Sequence, residues 1–294
     1  MITKEATVIV PTTGNRGALL AYSVGSIQKQ TLRNIEIFII GDGVTDEARE
    51  TIKKLGKEDS RIRFFDHPKH ERRGEPYRHQ ALQEAKGRII CYLCDRDLML
   101  PNHIETMSEL LTDYNFASTT YIDVRADQSL NISQYIGYYG PASETKKGQF
   151  KAGISLSNTG HTLELYHQLP YGWRTTPQNY YTDIYMWSQF HSLPECNAYS
   201  HTEPTIMYFK RGHFPGASVA EREKDLARWA PEITSERNIE LIKAEAFKGL
   251  LTERQQLRIY KRNVKKTNIL IRGYQVSKVP AKILQMASIL LKKL

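Results

Sequence analysis

The chain has 294 residues, of which 40% are hydrophobic and 25% are charged, with a formal net charge of +9 and a pI near 9.3. This composition excludes a disordered chain, and no run of about 18 or more apolar residues is present to span a bilayer. The positive charge favours a negatively charged partner: nucleic acid, anionic lipid or a phosphorylated substrate.

The first 100 residues alternate between short apolar runs and helical patterns. Strands are predicted at 6–10, 35–40, 61–66 and 88–94, and helices at 18–30, 46–55 and 75–86. Gly87 is expected to end the third helix, and Pro101 to open a fourth. The alternation predicts βαβ units and an α/β fold with a mostly parallel central sheet, in which ligands lie beyond the carboxyl ends of the strands.

The rest of the chain has a different character. Residues 116–220 are rich in Tyr, His, Gly and Pro with weak periodicity, which is typical of loops around a smaller sheet. Residues 220–294 read as helical and basic. The sequence therefore predicts a domain over 1–219 and a basic helical C-terminal extension over 220–294.

The three cysteines, Cys91, Cys94 and Cys196, leave one over in any pairing scheme and favour a reducing compartment. No secretory leader precedes the first predicted strand, so we expect a cytoplasmic protein. Cys91 and Cys94 form a C-x-x-C pair without the second pair that a zinc site needs. We therefore interpret both as strand residues near the core.

Carboxylates follow two of the predicted strands. Asp95 and Asp97 come directly after the fourth strand, and carboxylate oxygens are the ligands that Mg²⁺ and Mn²⁺ prefer. Asp42 ends the second strand between two glycines, where it can accept a hydrogen bond from a nucleobase or a ribose hydroxyl. The alternative for both is an ordinary turn, in which Arg96 neutralises its two neighbours.

Six segments resemble, in the same order, motifs of the family 2 glycosyltransferases of the GT-A fold. They are residues 8–16 (VIVPTTGNR), 40–46 (IGDGVTD), 74–81 (GEPYRHQA), 87–97 (GRIICYLCDRD), 181–187 (YTDIYMW) and 208–216 (YFKRGHFPG). The resemblance implies an inverting enzyme of bacterial surface-polysaccharide type, which moves a sugar from a nucleotide-sugar donor. It also implies that residues 1–100 bind the donor and 101–219 the acceptor.

The resemblance assigns roles to individual residues. Asp183 would be the general base, although an acid at a helix N-terminus is also favoured by the dipole. Asp95, Asp97 and His213 would hold Mn²⁺ or Mg²⁺, although His213 also fits a basic surface turn. The residues expected to bind the nucleotide sugar are Pro11, Thr12, Thr13, Arg16, Asp42, Arg78, Asp95 and Arg96.

An acceptor platform is a further expectation. The side chains of Tyr171, Trp173 and Arg174 can stack on a sugar, and they can equally belong to the core. The resemblance implies a glycan or lipid-linked acceptor.

The chain departs from the family pattern at several acids. Gly41 replaces the first acid of a D-D-G-S motif, Cys94 and Arg96 replace acids of a D-x-D-D motif, and Thr182 stands where Glu is usual. Arg96 would contribute its own positive charge near the diphosphate. These changes bear directly on whether the enzyme depends on metal.

The C-terminal segment is strongly basic. Its cations are Arg254, Arg258, Lys261, Arg262, Lys265, Lys266, Arg272, Lys278, Lys282, Lys292 and Lys293. Apolar residues at helical spacing between 279 and 291 make this segment amphipathic, which suits peripheral attachment to an anionic membrane. The alternative is a packing helix with a solvated charged face.

Other functions remain as alternatives. They are a GT-A-like subunit without catalysis, a basic nucleic-acid-binding protein, and a sugar-phosphate nucleotidyltransferase. We expect no nucleic-acid partner, because the excess of positive charge lies in the last quarter of the chain, away from the strand ends. UDP is expected as the donor nucleotide only through the family resemblance.

Overall fold

The structure is a computed structural model. It describes residues 3–133, 154–209 and 217–266, together with two short strands within 270–275. Side chains are described as far as residue 262. The predicted metal ligand His213 and the amphipathic pattern over 279–291 lie outside the described residues.

The strands of the described chain are β1 (Lys4–Gly14), β2 (Ile35–Val44), β3 (Ile62–His67), β4 (Gly87–Tyr92), β5 (Leu98–Met99), β6 (Phe116–Val124), β7 (Leu130–Ile132), β8 (Thr159–Thr162), β9 (Ala198–Tyr208), β10 (Leu270–Ile271) and β11 (Tyr274–Gln275). The helices are α1 (Gly17–Gln28), α2 (Asp46–Glu58), α3 (Glu75–Leu82), α4 (His103–Asp113), α5 (Leu163–His167), α6 (Thr182–His191), α7 (Val219–Glu232) and α8 (Glu236–Lys266).

One nine-stranded sheet organises the fold, in the order β3-β2-β1-β4-β8-β6-β9-β5, with β7 paired to β6. The first four strands of this order are parallel, β8 is antiparallel to its neighbours, and β6 and β9 are again parallel. The predicted α/β fold with a mostly parallel sheet and flanking helices is confirmed. The expectation of a separate smaller sheet is wrong, because β8 joins the two halves through β4.

The strands are buried on both faces, which their unbroken apolar runs predict. Val8, Val10 and Ile37 face a core that contains the apolar sides of α1, α2 and α4. Ile9 and Phe38, one residue along, face a second core formed with α3, α5 and α6. The helices therefore hold the sheet from both sides and leave its carboxyl edge open between them.

Two predicted helix boundaries need correction. Gly87 does not cap α3, which ends at Leu82; it begins β4 instead. A side chain at Gly87 would lie 2.3 Å from the backbone nitrogen of Thr7, so this position requires glycine because of a close strand contact. Pro101 forms a turn before α4, which begins at His103.

The chain forms two compact units, Met1–Gly249 and Leu250–Leu294. Helix α7 and the first part of α8 belong to the first unit, where Leu226 and Ala246 are buried. The boundary between the two compact units thus lies beyond residue 219. The predicted division of the chain at residue 219 into a catalytic domain and an extension stays a prediction. None of the described helices is both long and apolar enough to cross a membrane.

Candidate active site

A cavity of about 330 Å³ opens at the carboxyl ends of β1, β2 and β4. Its volume lies within the range of roughly 300–1,000 Å³ that is common for small-molecule sites. The predicted site residues that line it are Pro11, Thr12, Thr13, Arg16, Asp42, Arg78, Asp95, Arg96 and Asp183. These predicted residues come from five of the six motif-like segments, and Tyr208 of the sixth also lines the cavity.

Asp95 connects the segment after β4 to the end of β1. Its Oδ2 accepts a hydrogen bond from Thr12 Oγ1 at 3.0 Å, and both carboxylate oxygens lie 3.2 Å from Nη1 of Arg16. Bonds between charged partners of this kind are stronger than neutral ones. The Arg16 pair therefore fixes the Asp95 carboxylate in the cavity wall.

Asp42 ends β2 and is held by the loop after β3. Its Oδ1 accepts from the backbone nitrogen of His70 at 2.6 Å, and its Oδ2 forms an ion pair with Lys69. Gly43 adopts a positive φ of 65°, and a side chain there would lie 2.5 Å from Lys69 Cβ. The glycine after Asp42 thus allows the Lys69 loop to approach.

Arg78 is the most constrained basic side chain of the cavity, at 4% exposure. Its Nη2 donates to the carbonyl oxygen of Arg73 at 2.8 Å, whereas its Nε and Nη1 are buried without a hydrogen-bond partner. Burial lowers the pKa of Arg78 more than the charges of Glu75 and Asp183 raise it. Such unpaired buried donors are rare in folded proteins and are suited to an anionic ligand.

Trp173 packs against this arginine instead of facing an acceptor. The guanidinium carbon of Arg78 lies 4.7 Å from the centre of the Trp173 ring, and the Trp173 Nε1 donates to Tyr92 Oη at 3.1 Å. Trp173 is 2% exposed. Of the two alternatives raised by the sequence, a sugar-stacking position and a core position, the structure shows the core position for this ring. Its position supports Arg78 through a cation–π contact.

Arg96 and Cys94 follow β4 and line the cavity next to Asp95. Burial lowers the pKa of Arg96, but the negative charges around it, including those of Asp97 and Asp95, outweigh burial and raise it above its ordinary value. Its Nε is buried and has no hydrogen-bond partner. Burial raises the pKa of the Cys94 thiol to about 12, which favours its neutral form.

Asp97 points away from the cavity. Its Oδ2 accepts from Ser157 Oγ at 2.5 Å and its Oδ1 from the Phe209 backbone nitrogen at 3.1 Å, and the residue is fully buried. Burial raises the pKa of this carboxyl. Asp97 therefore ties β9 and the segment before β8 to the cavity wall, while Asp95 faces the cavity.

This arrangement is a poor fit to a divalent cation. Mg²⁺ and Mn²⁺ need several oxygen ligands around one point. Within the described residues, no group of three or more His, Cys, Asp and Glu side chains is placed to hold a metal ion. Asp95 is already paired with Arg16, and Asp97 is engaged elsewhere. The predicted Mn²⁺ or Mg²⁺, and the role of His213, stay predictions.

Asp183 occupies the first turn of α6 and lines the same cavity. Arg78 lines this cavity as well. A carboxylate at a helix N-terminus is stabilised by the helix dipole. A carboxylate in such a cavity is a group that can accept a proton from a hydroxyl group.

Exposed tyrosines surround the start of α6. Tyr171, Tyr180 and Tyr181 are each more than half exposed. The Arg174 guanidinium lies 3.7 Å from the centre of the Tyr171 ring and donates from Nε to Tyr185 Oη at 2.8 Å. The predicted residues Tyr171 and Arg174 therefore lie in one aromatic and basic cluster.

Sequence reasoning missed several residues of the cavity wall. They are Lys69, Arg72, Arg73, Ser155, Leu156, Thr182 and Tyr208. The basic ones come from the loop after β3, and Arg72 Nη2 donates to the carbonyl oxygens of Pro177 and Tyr180 at 3.3 and 3.5 Å. The signal was present, because a basic run that follows a strand of a parallel sheet lies at its carboxyl edge.

A basic cleft at the carboxyl edge of an α/β sheet is the kind of site that suits phosphorylated ligands. Residues 7–171, more than half of the chain, match the family described as Glycosyl transferase family 2, and the chain belongs to this family. The predicted family is confirmed.

Curated relatives share part of the chain. The GalNAc(5)-diNAcBac-PP-undecaprenol β-1,3-glucosyltransferase of Campylobacter jejuni is 30% identical over 105 residues, which cover 36% of this chain and 34% of that protein. Glycosyltransferase GlyG of Streptococcus pneumoniae is 33% identical over 100 residues, which cover 34% of this chain and 33% of that protein. The matches thus span about a third of the length of these relatives.

Solved structures show the same fold. S. aureus TarS 1–349 in complex with UDP-GlcNAc gives a TM-score of 0.54 at 13% identity, covering 82% of this chain and 71% of that one. The mannosyltransferase PcManGT of Pyrobaculum calidifontis, in complex with GDP-Man and Mn²⁺, gives 0.51 at 14% identity, covering 99% and 82%. At these identities the likeness concerns the fold alone.

Proposed function

We propose that the chain transfers a sugar from a nucleoside-diphosphate sugar to an acceptor hydroxyl, with the donor bound in the cavity at the carboxyl edge. The observation that carries this proposal is Arg78, a buried guanidinium with two unpaired nitrogens in the cavity wall. A diphosphate supplies acceptors for those nitrogens, and family membership supplies the reaction class.

Donor binding uses the ends of three strands. Asp42 at the end of β2 accepts from the base or the ribose, while Thr12, Thr13 and Arg16 line the wall beside it. UDP is the first candidate nucleotide, because TarS was solved with UDP-GlcNAc. GDP is the second, because PcManGT was solved with GDP-Man.

The chemical step is a single displacement. The acceptor oxygen forms a bond to the anomeric carbon, and the bond from that carbon to the diphosphate breaks with its electron pair going to the diphosphate. The acceptor proton passes to the carboxylate of Asp183. Attack opposite to the leaving group inverts the anomeric configuration.

The acceptor lies on the α6 side of the cavity in this proposal. The exposed cluster around Tyr171 and Arg174, extended by Tyr180, Tyr181 and Tyr185, offers aromatic faces and donors suited to a sugar ring. A glycan or lipid-linked acceptor agrees with the name of the C. jejuni relative, which ends in undecaprenol.

Attachment to an anionic membrane would bring such an acceptor within reach. The part of α8 in the second unit carries the exposed basic residues Arg254, Arg258, Lys261 and Arg262. Exposed Leu257 and Ile259 lie among them. Basic and apolar side chains on one helix are suited to a membrane surface.

The experiment that tests the donor site is calorimetric titration of UDP, GDP and dTDP into the full chain in the presence of Mn²⁺. One nucleotide is expected to bind, and Asp95→Ala is expected to weaken it about 10-fold or more, because it releases Arg16 and Thr12. Asp113→Ala, at the exposed end of α4, is the matched control. Absence of binding for all three nucleotides contradicts the proposed function.

A further inference from the structure

The cavity wall carries a surplus of positive charge. Its basic side chains are Arg16, Lys69, Arg72, Arg73, Arg78 and Arg96, and its carboxylates are Asp42, Asp95 and Asp183. Two of the carboxylates are already bound to cations of the wall, since Lys69 contacts Asp42 and Arg16 contacts Asp95. The remaining arginines face the cavity with Asp183 as their one unpaired counterion among the described lining residues.

Three of these arginines share an unusual feature. Arg72 and Arg96 each have a buried Nε without a hydrogen-bond partner, and Arg78 has a buried Nε and a buried Nη1 without one. A buried unpaired donor costs free energy, and a charged one costs more. Three such groups around one cavity suit an anionic ligand that is rich in acceptor oxygens.

The chemistry of the guanidinium group indicates which class of anion fits the cavity. Its planar fork matches two oxygens of a phosphate, whereas an ammonium group acts as a point charge. Arg78 cannot move freely to a different partner, because the Trp173 ring and the Arg73 carbonyl hold it. The wall is therefore organised in advance for phosphate oxygens.

Among the described residues, the acidic side of the site lacks the corresponding organisation for a metal. Both oxygens of Asp97 accept hydrogen bonds away from the cavity, from Ser157 and from Phe209. Asp95 is held by Thr12 and Arg16. Between the two acids in sequence stands Arg96, a permanent cation where a chelating acid would place negative charge.

We propose that Arg78 and Arg96, assisted by Arg72, neutralise the diphosphate of the donor in place of a divalent cation, so that nucleotide binding requires no metal. This inference rests on the proposed function and specifies how the same site recognises its substrate. The guanidinium groups remain in place when the diphosphate leaves, and they stabilise the negative charge that it gains.

The test is calorimetric titration of the full chain with UDP, GDP and dTDP at about 0.15 M salt. Each titration is made once with Mn²⁺ in the millimolar range and once with excess EDTA. The nucleotide that binds is expected to have the same Kd within about twofold in both buffers. Arg96→Ala and Arg78→Ala are each expected to weaken it about 10- to 100-fold in EDTA.

Conservative and control variants separate the charge from the fold. Arg96→Lys keeps the charge without the fork, and it is expected to bind more tightly than Arg96→Ala and more weakly than the wild type. Arg63→Ala changes an arginine of β3 outside the cavity wall and is expected to leave the Kd unchanged. Thermal unfolding of each variant shows whether the fold is intact.

The outcomes distinguish the two proposals. Nucleotide binding that appears only with Mn²⁺ overturns the inference and leaves the proposed function standing. Metal-free binding that survives both arginine-to-alanine changes in folded variants also overturns the inference. No binding of any nucleotide in either buffer contradicts the proposed function itself.

Discussion

At the scale of single residues, the site depends on where each charged group finds its partner. Asp183 is the carboxylate of the cavity wall that is not bound to a cation of the wall, which suits it to accept a proton. Arg78 is held by the ring of Trp173, which is far away in sequence, and by the nearby carbonyl oxygen of Arg73. In the proposed reaction these two residues have separate roles, so mutation is expected to separate proton transfer from donor binding.

Asp183→Asn is expected to lower the transfer rate about 10²- to 10⁴-fold, because the amide cannot accept the acceptor proton. The Kd of the nucleotide is expected to stay within about threefold, since the diphosphate contacts are retained. Release of nucleotide from the donor sugar measures the rate, and calorimetry measures the Kd. A loss of both in a folded variant would assign Asp183 to donor binding instead of proton transfer.

Trp173→Leu is expected to weaken nucleotide binding about tenfold, because it removes the ring that supports the Arg78 guanidinium. Phe190→Leu, in the same buried aromatic core but without an arginine contact, controls for lost packing. The measurement is the nucleotide Kd of both variants after their thermal stability is compared. Equal effects of the two substitutions would remove Trp173 from the account of the donor site.

The residues of the site were predictable from sequence to the extent that their segments end neighbouring strands. Asp42 and Asp95 were found in this way, whereas Arg78, which lies in α3, was named only through the family resemblance. The different directions of Asp95 and Asp97 were not predictable, because Asp97 is held by Ser157 and Phe209, which come from distant segments. Adjacent carboxylates look alike in a sequence until their long-range partners are known.

At the scale of elements, strand ends and helix starts position the cavity, and their packing is tight where they meet. Gly87 begins β4 against β1, and Asp95 lies shortly after the end of β4 at Tyr92. His103 begins α4 and contacts Thr205 Oγ1 of β9 through Nδ1 at 2.7 Å. Two stability measurements report on these contacts.

Gly87→Ala is expected to lower the free energy of unfolding by ~2–4 kcal/mol, because the added carbon would overlap backbone atoms of β1. Gly56→Ala is the matched change within α2, where an added carbon meets nothing. It is expected to raise the free energy of unfolding by ~0.5–1 kcal/mol through helix propensity. The measurement is the free energy of unfolding of both variants in urea. Similar free energies for the two variants would contradict the close strand contact at Gly87.

The pH dependence of stability follows from the buried His103. Burial lowers its pKa from 6.5 to about 3. Below pH 6.5 the unfolded chain binds a proton on this histidine that the folded chain excludes. The free energy of unfolding therefore decreases as the pH is lowered. This one residue accounts for about 2 kcal/mol at pH 5 relative to neutral pH.

The check is a comparison of the wild type with His103→Gln by urea unfolding between pH 7 and pH 5. The variant is expected to lose about 2 kcal/mol less over this interval, whatever its stability at pH 7. Parallel curves for the two proteins would show that His103 takes up a proton in the folded state.

Element types in the first 100 residues follow from local pattern, since apolar runs and helical periodicity alternate there. The second half was harder to predict, because β8 has four residues and is defined by its antiparallel partners β4 and β6. Its sequence, Thr-Gly-His-Thr, carries no strand pattern. Residues 159–162 form a strand because of their long-range pairing with β4 and β6. The same pairing makes the strands of the second half part of the main sheet instead of a smaller one.

At the scale of the whole molecule, the net positive charge is shared between two compact units. The first unit holds the cavity and its surplus of arginines, and the second holds the exposed basic part of α8. The positive charge of the chain thus has two sources with different proposed partners, a diphosphate and a lipid surface.

The full chain is expected to float with vesicles that contain about 30% anionic lipid and to dissociate as salt is raised to about 0.5 M. Replacement of Arg254, Arg258, Lys261 and Arg262 by Gln is expected to reduce the bound fraction at least about fivefold, at about 1 kcal/mol per basic residue. Replacement of the exposed Arg33, Lys53, Lys54 and Lys57 by Gln is the matched control. Equal binding by both variants would contradict membrane attachment through α8.

The most direct measurement of the central claim is a crystal structure of the chain grown with the nucleoside diphosphate that binds. The account predicts the nucleotide in the cavity between β1, β2 and β4, with diphosphate oxygens about 3 Å from Nε or Nη1 of Arg78. A nucleotide bound outside this cavity, or one that leaves both Arg78 nitrogens unpaired, would contradict it.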